Sequence, residues 1–215
     1  MFEVCPACGL YSVEKTIDPV GPFAVCPHCG HAQPFLRLPL FIITGASGAG
    51  KTTACLALVG QLPECVVLDS DILWDARFNT PEDNYRAYRA LWLSLAHDIG
   101  QSGRPVVLFG SAVPEQFEDL PGRRYFSAIH YLALVCDDAV LVERLQSRPA
   151  WRQAGTPEFI ADMLAFNRWF RDHAATTWPP ITLHDTSAGS LATTTAAITA
   201  WIRGHLDPLP AGPLN

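Results

Sequence analysis

An apolar run, Leu40-Phe-Ile-Ile-Thr44, passes without a break into Gly45-Ala46-Ser47-Gly48-Ala49-Gly50-Lys51-Thr52-Thr53, and no other feature of the chain restricts its fold so tightly. The spacing is G-x-x-x-x-G-K-[ST], which cradles phosphate when a strand precedes it and a helix follows. Gly45, Gly48 and Gly50 let the backbone aim successive amides into one concavity for phosphate oxygens. A helix opening near Lys51 adds its positive end. Lys51 reaches the β- and γ-phosphates, and the Thr52 hydroxyl is placed to ligate Mg2+. Residues 45–53, Thr53 included, are therefore the candidate site for a nucleoside triphosphate.

Beyond the loop, apolar runs at 40–44, 65–68, 105–109, 129–135 and 181–183 alternate with helical stretches near 51–61, 82–100, 137–147, 157–173 and 190–203. Near-continuous apolar strands separated by helices predict a parallel sheet covered on both faces, an α/β fold. Hydrophobic residues make up 49% of the 215, enough for an ordinary core, so wholesale disorder is excluded. Fifteen Lys and Arg against 21 Asp and Glu give a net charge of −6, which disfavours a generally basic, nucleic-acid-coating protein. No apolar run approaches the roughly 20 residues of a membrane span. The N-terminus, MFEVCPACGL, lacks a basic segment followed by an apolar one, so no secretory signal is read and the cytoplasm is the expected compartment.

In a reducing compartment, seven cysteines point to metal rather than to disulfides. Cys5-Pro-Ala-Cys8 and Cys26-Pro-His-Cys29 are two C-x-x-C knuckles with 17 residues between them, the spacing of a four-thiolate zinc site. Residues 10–25, with Tyr11, Val13, Ile17 and Phe23, read as a hairpin between the knuckles. So short a segment has too little apolar area to fold alone, and the ion would supply much of its stability. Four thiolates close the coordination shell, which makes the zinc structural rather than catalytic. The expected organisation is a zinc ribbon at 1–34, a proline-bounded linker from Gln33-Pro34 to Leu38-Pro39, a nucleotide-binding domain at 38–205 and a flexible tail at 206–215. Cys55, Cys65 and Cys136 read as small core residues.

The fate of the γ-phosphate rests on the residues that follow the later strands. The second strand ends in Asp69-Ser70-Asp71, at the strand edge where such sheets bind ligands. One carboxylate can take the proton of an attacking hydroxyl while the other holds Mg2+; alternatively Asp71 caps the helix beginning at Ile72. The third strand ends in Gly110-Ser111 with no acid, which weakens a motor reading and leaves Asp69 as the best Mg2+ partner. Arg144, Arg148 and Arg152 recur every four residues, and Pro149 sets Arg148 and Arg152 on a loop. Arginines on a mobile loop neutralise charge on a transferred phosphoryl group; otherwise Arg144 lies on a solvated face paired with Glu143 or Asp138.

The loop Gly45–Thr53, the Asp69-Ser-Asp71 pair and the Arg144…Arg148 segment together resemble the small P-loop kinases of the nucleoside monophosphate kinase fold, such as shikimate, gluconate and chloramphenicol kinases, over residues of about 38 to 205. Leu68–Trp74 and Phe166–Trp169 also resemble segments of AAA-family, kinase-like proteins of actinobacterial type. The resemblance implies a five-stranded parallel sheet of order 2-3-1-4-5, ATP with Mg2+, a small-molecule acceptor, Asp71 as acceptor-side base and Arg148 as a lid arginine. The ribbon departs from that pattern.

The acceptor region then falls between Asp71 and the third strand, among Trp74, Arg77, Phe78, Asn79, Tyr85, Arg86, Tyr88, Arg89 and Trp92. Arg77, close behind Asp71, leads as substrate-binding residue. Tyr85, Tyr88, Trp92 and Leu95 also fit helical spacing, as do Phe159, Met163, Phe166 and Phe170, and read mostly as core. The leading expectation is an ATP-dependent kinase for a nucleoside, nucleotide, sugar or antibiotic, with Lys51, Asp71 and Arg148 catalytic and Arg144 on the nucleotide. The alternative is a regulatory ATPase whose ribbon docks a protein partner or a second copy. Nucleic acid is disfavoured there, because residues 1–34 hold only Lys15 against Glu3, Glu14 and Asp18.

Overall fold

A computed structural model describes residues 2–152 and 154–206; most of the expected tail lies outside them. The N-terminal unit carries three short antiparallel strands, β1 (Thr16–Asp18), β2 (Phe23–Val25) and β3 (Ala32–Pro34), in that spatial order. The hairpin between the knuckles is present as β1–β2. Gln33 and Pro34, expected to open the linker, instead pair with Ala24 and Phe23 as part of β3. Proline is tolerated there because β3 is an edge strand.

The rest alternates β4 (Leu40–Thr44), α1 (Lys51–Leu58), β5 (Val66–Asp69), α2 (Arg86–Gly100), β6 (Val106–Phe109), α3 (Glu115–Glu118), β7 (Ile129–Val135), α4 (Asp138–Gln146), α5 (Pro157–His173), β8 (Ile181–Asp185) and α6 (Leu191–Gly204). The five strands from β4 onward form one parallel sheet, ordered β5-β6-β4-β7-β8. This is the 2-3-1-4-5 order, with β4 at its centre. All five residues of β4 are buried, as a strand covered on both faces requires. Leu40 and Ile42 pack with Trp92 and Phe117 on one side; Phe41 and Ile43 pack with Leu58 and Ile198 on the other. Cys55, Cys65 and Cys136 are buried, and burial pushes Cys55 up to about 12 and Cys65 up to about 11. Among the described residues no helix is long and apolar enough to cross a membrane.

One expected helix starts late. The stretch 82–85 is not the beginning of α2, because a 3-10 turn at Pro81–Asp83 is followed by Asn84 and Tyr85, both left-handed at φ 58° and 59°. Two consecutive non-glycine residues in that region cannot belong to a helix.

The ribbon is fastened to the sheet domain. Phe2, Phe35 and Tyr125 form a buried cluster with Ala24, and the His97 ring lies 4.4 Å from that of Phe2. The Tyr125 hydroxyl donates to Val13 O at 2.8 Å and accepts from Lys15 N at 3.2 Å. Gln101 at the end of α2 exchanges two hydrogen bonds with the Leu36 backbone. Lys15 itself is 1% exposed; its ammonium donates to Phe2 O and Gln33 Oε1. The one basic residue of the ribbon is thus spent on structure.

Tyr125→Phe is expected to destabilise the chain by about 1–3 kcal/mol, since it strands a buried amide and a carbonyl. Urea denaturation would read this as a lower midpoint; an unchanged midpoint would mean that the hydroxyl contributes nothing to the docking.

Candidate active site

The loop between β4 and α1 sits at the carboxyl end of the sheet. Gly45 has φ +136°, and a Cβ there would lie 2.3 Å from Leu134 O. Only glycine permits that approach of the loop to β7. The loop is braced from β6, where the Ser111 hydroxyl donates to Gly45 O at 3.0 Å and Thr44 Oγ1 donates to Ala112 O at 2.6 Å. Lys51 Nζ donates to Gly45 O at 2.7 Å and Ala46 O at 3.0 Å, with no carboxylate in ion-pair contact among the described residues. Loss of water around its ammonium brings its pKa down to about 8; Asp71 and Asp69 oppose the fall and Arg148 deepens it.

The two acids have separate local tasks. Asp69 ends β5, and its Oδ1 accepts from Asp71 N at 3.0 Å, capping the 3-10 turn Ser70–Leu73. The capping role weighed for Asp71 therefore belongs to Asp69, and the Asp71 carboxyl lines the cleft instead. Its pKa is raised above the ordinary carboxylate value by desolvation between the cleft walls and by the charge of Asp69, while Lys51, Arg152 and Arg89 pull it back. The turn is held from two sides. Tyr88 donates its hydroxyl to Ser70 O at 2.5 Å, and Ser70 packs so closely on Gly110 that a Cβ there would stand 2.1 Å from Ser70 Oγ. Glycine after β6 thus lets the Asp69–Asp71 turn close over the sheet edge.

Two clefts meet at the loop. One of about 750 Å3 is lined on its far side by Asp71, Trp74, Tyr85, Arg89 and Gln116. The other, of about 350 Å3, runs between the loop, Arg144, Thr186 and Gly189. Gly48, Lys51, Thr52 and Arg148 border both. Asp69 borders the larger and Thr53 the smaller. Arg144 donates to Thr186 Oγ1 at 3.0 Å and Thr186 O at 2.7 Å. Asp138, weighed as its partner, is instead engaged by Arg168 and Arg171 of α5. Arg148 follows α4 half-buried, and Arg152 lies in the 3-10 turn Ala150–Arg152 with its guanidinium over the Trp151 ring.

Arg77 is not brought to this cleft. Its side chain is 83% exposed and pairs with Asp75 at 2.8 Å, because Asp75 caps a further 3-10 turn that carries Arg77 outward. The cleft is walled instead by residues read mostly as core. Phe159, Met163 and Phe166 of α5 face it, while Phe170 is buried. Helical spacing marks the stripe but not the place where the stripe emerges from the core.

In the ribbon, the sulfurs of Cys5, Cys8, Cys26 and Cys29 all lie within 4.8 Å of one another, with Cys5–Cys29 at 3.7 Å and Cys8–Cys26 at 3.8 Å. A tetrahedron with Zn–S bonds of 2.3 Å has an S···S edge of about 3.8 Å, so the donor set fits Zn2+. The knuckles repeat one another: Gly9 N donates to Cys5 O as Gly30 N does to Cys26 O, and Cys5 N donates to Leu10 O as Cys26 N does to His31 O. Burial raises the Cys5 thiol, but the amides of Cys8 and Ala7 outweigh it and bring the pKa down to about 6. The amides of Cys29 and His28 lower Cys26 in the same way.

Comparison with known proteins agrees with the fold. The family model described as AAA domain matches residues 40–166, and the chain belongs to that family of P-loop NTPases. No curated protein matches the sequence. The fold is similar to a sugar kinase from Janibacter sp., with TM-score 0.58, 15% identity and coverage of 77% of this chain and 95% of that one. It is also similar to a protein from Chloroflexus aurantiacus provisionally named a kinase, with TM-score 0.53, 21% identity and coverage of 80% and 100%. At such identities the likeness is one of fold.

The lowered pKa of Lys51 predicts proton uptake when a triphosphate binds near pH 8, since phosphate oxygens favour the ammonium. Affinity should be greatest below pH 8 and fall as pH rises through it. Calorimetry in buffers of different ionisation enthalpy checks this; heats independent of the buffer would contradict it.

Proposed function

We propose that the chain is an ATP- and Mg2+-dependent phosphotransferase for a small-molecule acceptor, with a structural zinc in its N-terminal ribbon. The observation that carries the reading is the meeting of the two clefts at Lys51, Thr52 and Arg148, with Asp71 on the larger one. In this reading the nucleotide lies in the smaller cleft and the acceptor in the larger, on opposite sides of the phosphate loop. Bound Mg·ATP supplies the phosphoryl group, and the metal neutralises charge on the β- and γ-oxygens. Thr52 and Asp69 offer the hard oxygen donors that suit Mg2+.

The chain's own residues then position and neutralise. The loop amides and Lys51 hold the terminal phosphates. Asp71 accepts the proton from the acceptor hydroxyl, and its raised pKa makes it a better base than an unperturbed aspartate. Arg148 and Arg152 compensate charge on the phosphoryl group as it passes from one oxygen to the other. Arg144, fixed by Thr186, borders the nucleotide side. The fold-level likeness to kinases supports the reaction class and leaves the acceptor to the residues of the larger cleft. A regulatory role through the ribbon has less support, because its apolar side is occupied by Tyr125 and His97 of the same chain. The thiolate set also suits a reducing compartment such as the cytoplasm.

Asp71→Asn is expected to bind ATP as before while phosphoryl transfer drops about 10²–10⁴-fold, measured by product formation from a metabolite library. Transfer at near-normal rate would remove Asp71 as the base. The purified protein should contain one zinc per chain by elemental analysis, and Cys26→Ser should lose it and melt at a lower temperature. A metal-free protein of unchanged stability would contradict the zinc assignment.

A further inference from the structure

One amide of the phosphate loop is taken by a sulfur atom: Ser47 N donates to Met163 Sδ at 3.3 Å. Ser47 borders the larger cleft and not the smaller one, so this amide lies where the cradle opens on the larger cleft. Met163 belongs to α5, with Phe159 one turn before it and Phe166 one turn after, and all three line that cleft. The methionine packs on the buried cluster of Ala46, Leu141 and Leu145 and is itself half-buried. Its side chain is thus held in place and still borders open space.

Packing alone does not account for a methionine here. Leucine would fill nearly the same volume but gives the Ser47 amide nothing to donate to. Met163 is also set apart among the sulfurs of the chain. Met1 is the only other methionine. Cys55, Cys65 and Cys136 are buried, the other four cysteines form the ribbon cluster, and no cysteine lines either cleft. Among the described residues the thioether is therefore the one oxidisable sulfur at the phosphate loop.

Acceptor strength decides what that sulfur does. A thioether accepts weakly, and a charged phosphate oxygen accepts strongly, so an incoming triphosphate displaces the sulfur at little cost. Adding one oxygen atom reverses the balance, because a sulfoxide is polar and its oxygen is a good acceptor.

We infer that Met163 is a modification site, where oxidation by a peroxide to the sulfoxide weakens the loop's hold on a triphosphate. A sulfur lone pair attacks one peroxide oxygen, and the O–O bond breaks as the S–O bond forms. Sulfur loses two electrons to the peroxide, whose departing hydroxide takes the proton of the transferred oxygen and leaves as water. The new oxygen then holds the Ser47 amide from a side chain that α5 keeps in place, and a nucleotide must break that bond to enter. The inference needs a loop that binds triphosphate and needs no transfer. A chain that binds ATP and phosphorylates nothing would remove the phosphotransferase reading and leave this one standing.

The test treats the full chain, as purified, with hydrogen peroxide beside N-acetylmethionine as an internal standard. Dithiothreitol then returns disulfides and sulfenic acids to thiols. Mass spectrometry of the peptide bearing Met163 reads the oxygen gained, and calorimetry with Mg2+ and a non-hydrolysable ATP analogue reads affinity. Met163 should gain one oxygen atom, and affinity for the analogue should drop about fivefold or more. Methionine sulfoxide reductases of both epimer specificities should restore it. In Met163→Leu the same treatment should leave affinity within about twofold of its untreated value. A Met163 left intact while the standard is converted, an unchanged affinity once the sulfoxide has formed, or an equal loss in Met163→Leu overturns the inference. Should Met163→Leu fail to fold, the reductases decide. Recovered binding supports the inference, and binding that stays lost overturns it, because overoxidised thiols are not their substrates.

Discussion

Lys51 holds a positive charge where solvent is scarce and, among the described residues, its ammonium donates only to the carbonyls of Gly45 and Ala46. The arrangement is unfavourable by itself, as its lowered pKa records, and much around it serves to keep the ammonium there. Gly45 allows the loop to press on Leu134, Ser111 and Thr44 lock the loop to the end of β6, and α1 begins at Lys51 itself. A charge kept unpaired at the end of a parallel sheet is stored affinity for a polyanion. The carboxylates that could neutralise it are held back: Asp69 is engaged by the Asp71 amide, and Asp71 acts on it without direct contact.

The same economy runs along α2. Its first turns carry Tyr88, which holds the Ser70 carbonyl, and Arg89, which holds the Ser111 carbonyl. Its last turn carries His97, which packs on Phe2, and Gln101 just past its end holds the Leu36 backbone of the ribbon side. One helix therefore joins the wall of the larger cleft to the N-terminal unit. A metal in the ribbon would stabilise the far anchor of that helix, which gives the N-terminal unit a physical task without any external partner.

Much of this was legible in the sequence. The strand–loop–helix around Gly45–Lys51, the alternation of apolar runs and helices, and the paired knuckles each follow from local chemistry. The strand order came with the resemblance to small P-loop kinases and is the order found. The remainder depended on contacts distant in sequence. β3 exists only because the second knuckle turns residues 32–34 back onto β2. Nearness to Asp71 favoured Arg77, but aspartate-capped 3-10 turns throw that residue into solvent. The left-handed pair Asn84-Tyr85 then redirects the chain so that Arg89, much farther along, comes back to the cleft. Spacing put Phe159, Met163 and Phe170 on one stripe, and the depth of each depends on α5 crossing the cleft mouth.

The central claim is that the γ-phosphoryl group leaves ATP for an organic acceptor rather than for water. Incubating the full chain with Mg2+, isotope-labelled γ-phosphate ATP and a fractionated metabolite extract, and following the label by mass spectrometry, tests it directly. The account predicts label in an organic phosphate ester or anhydride. Label found solely in inorganic phosphate, across every fraction, would make the chain an ATPase and contradict it.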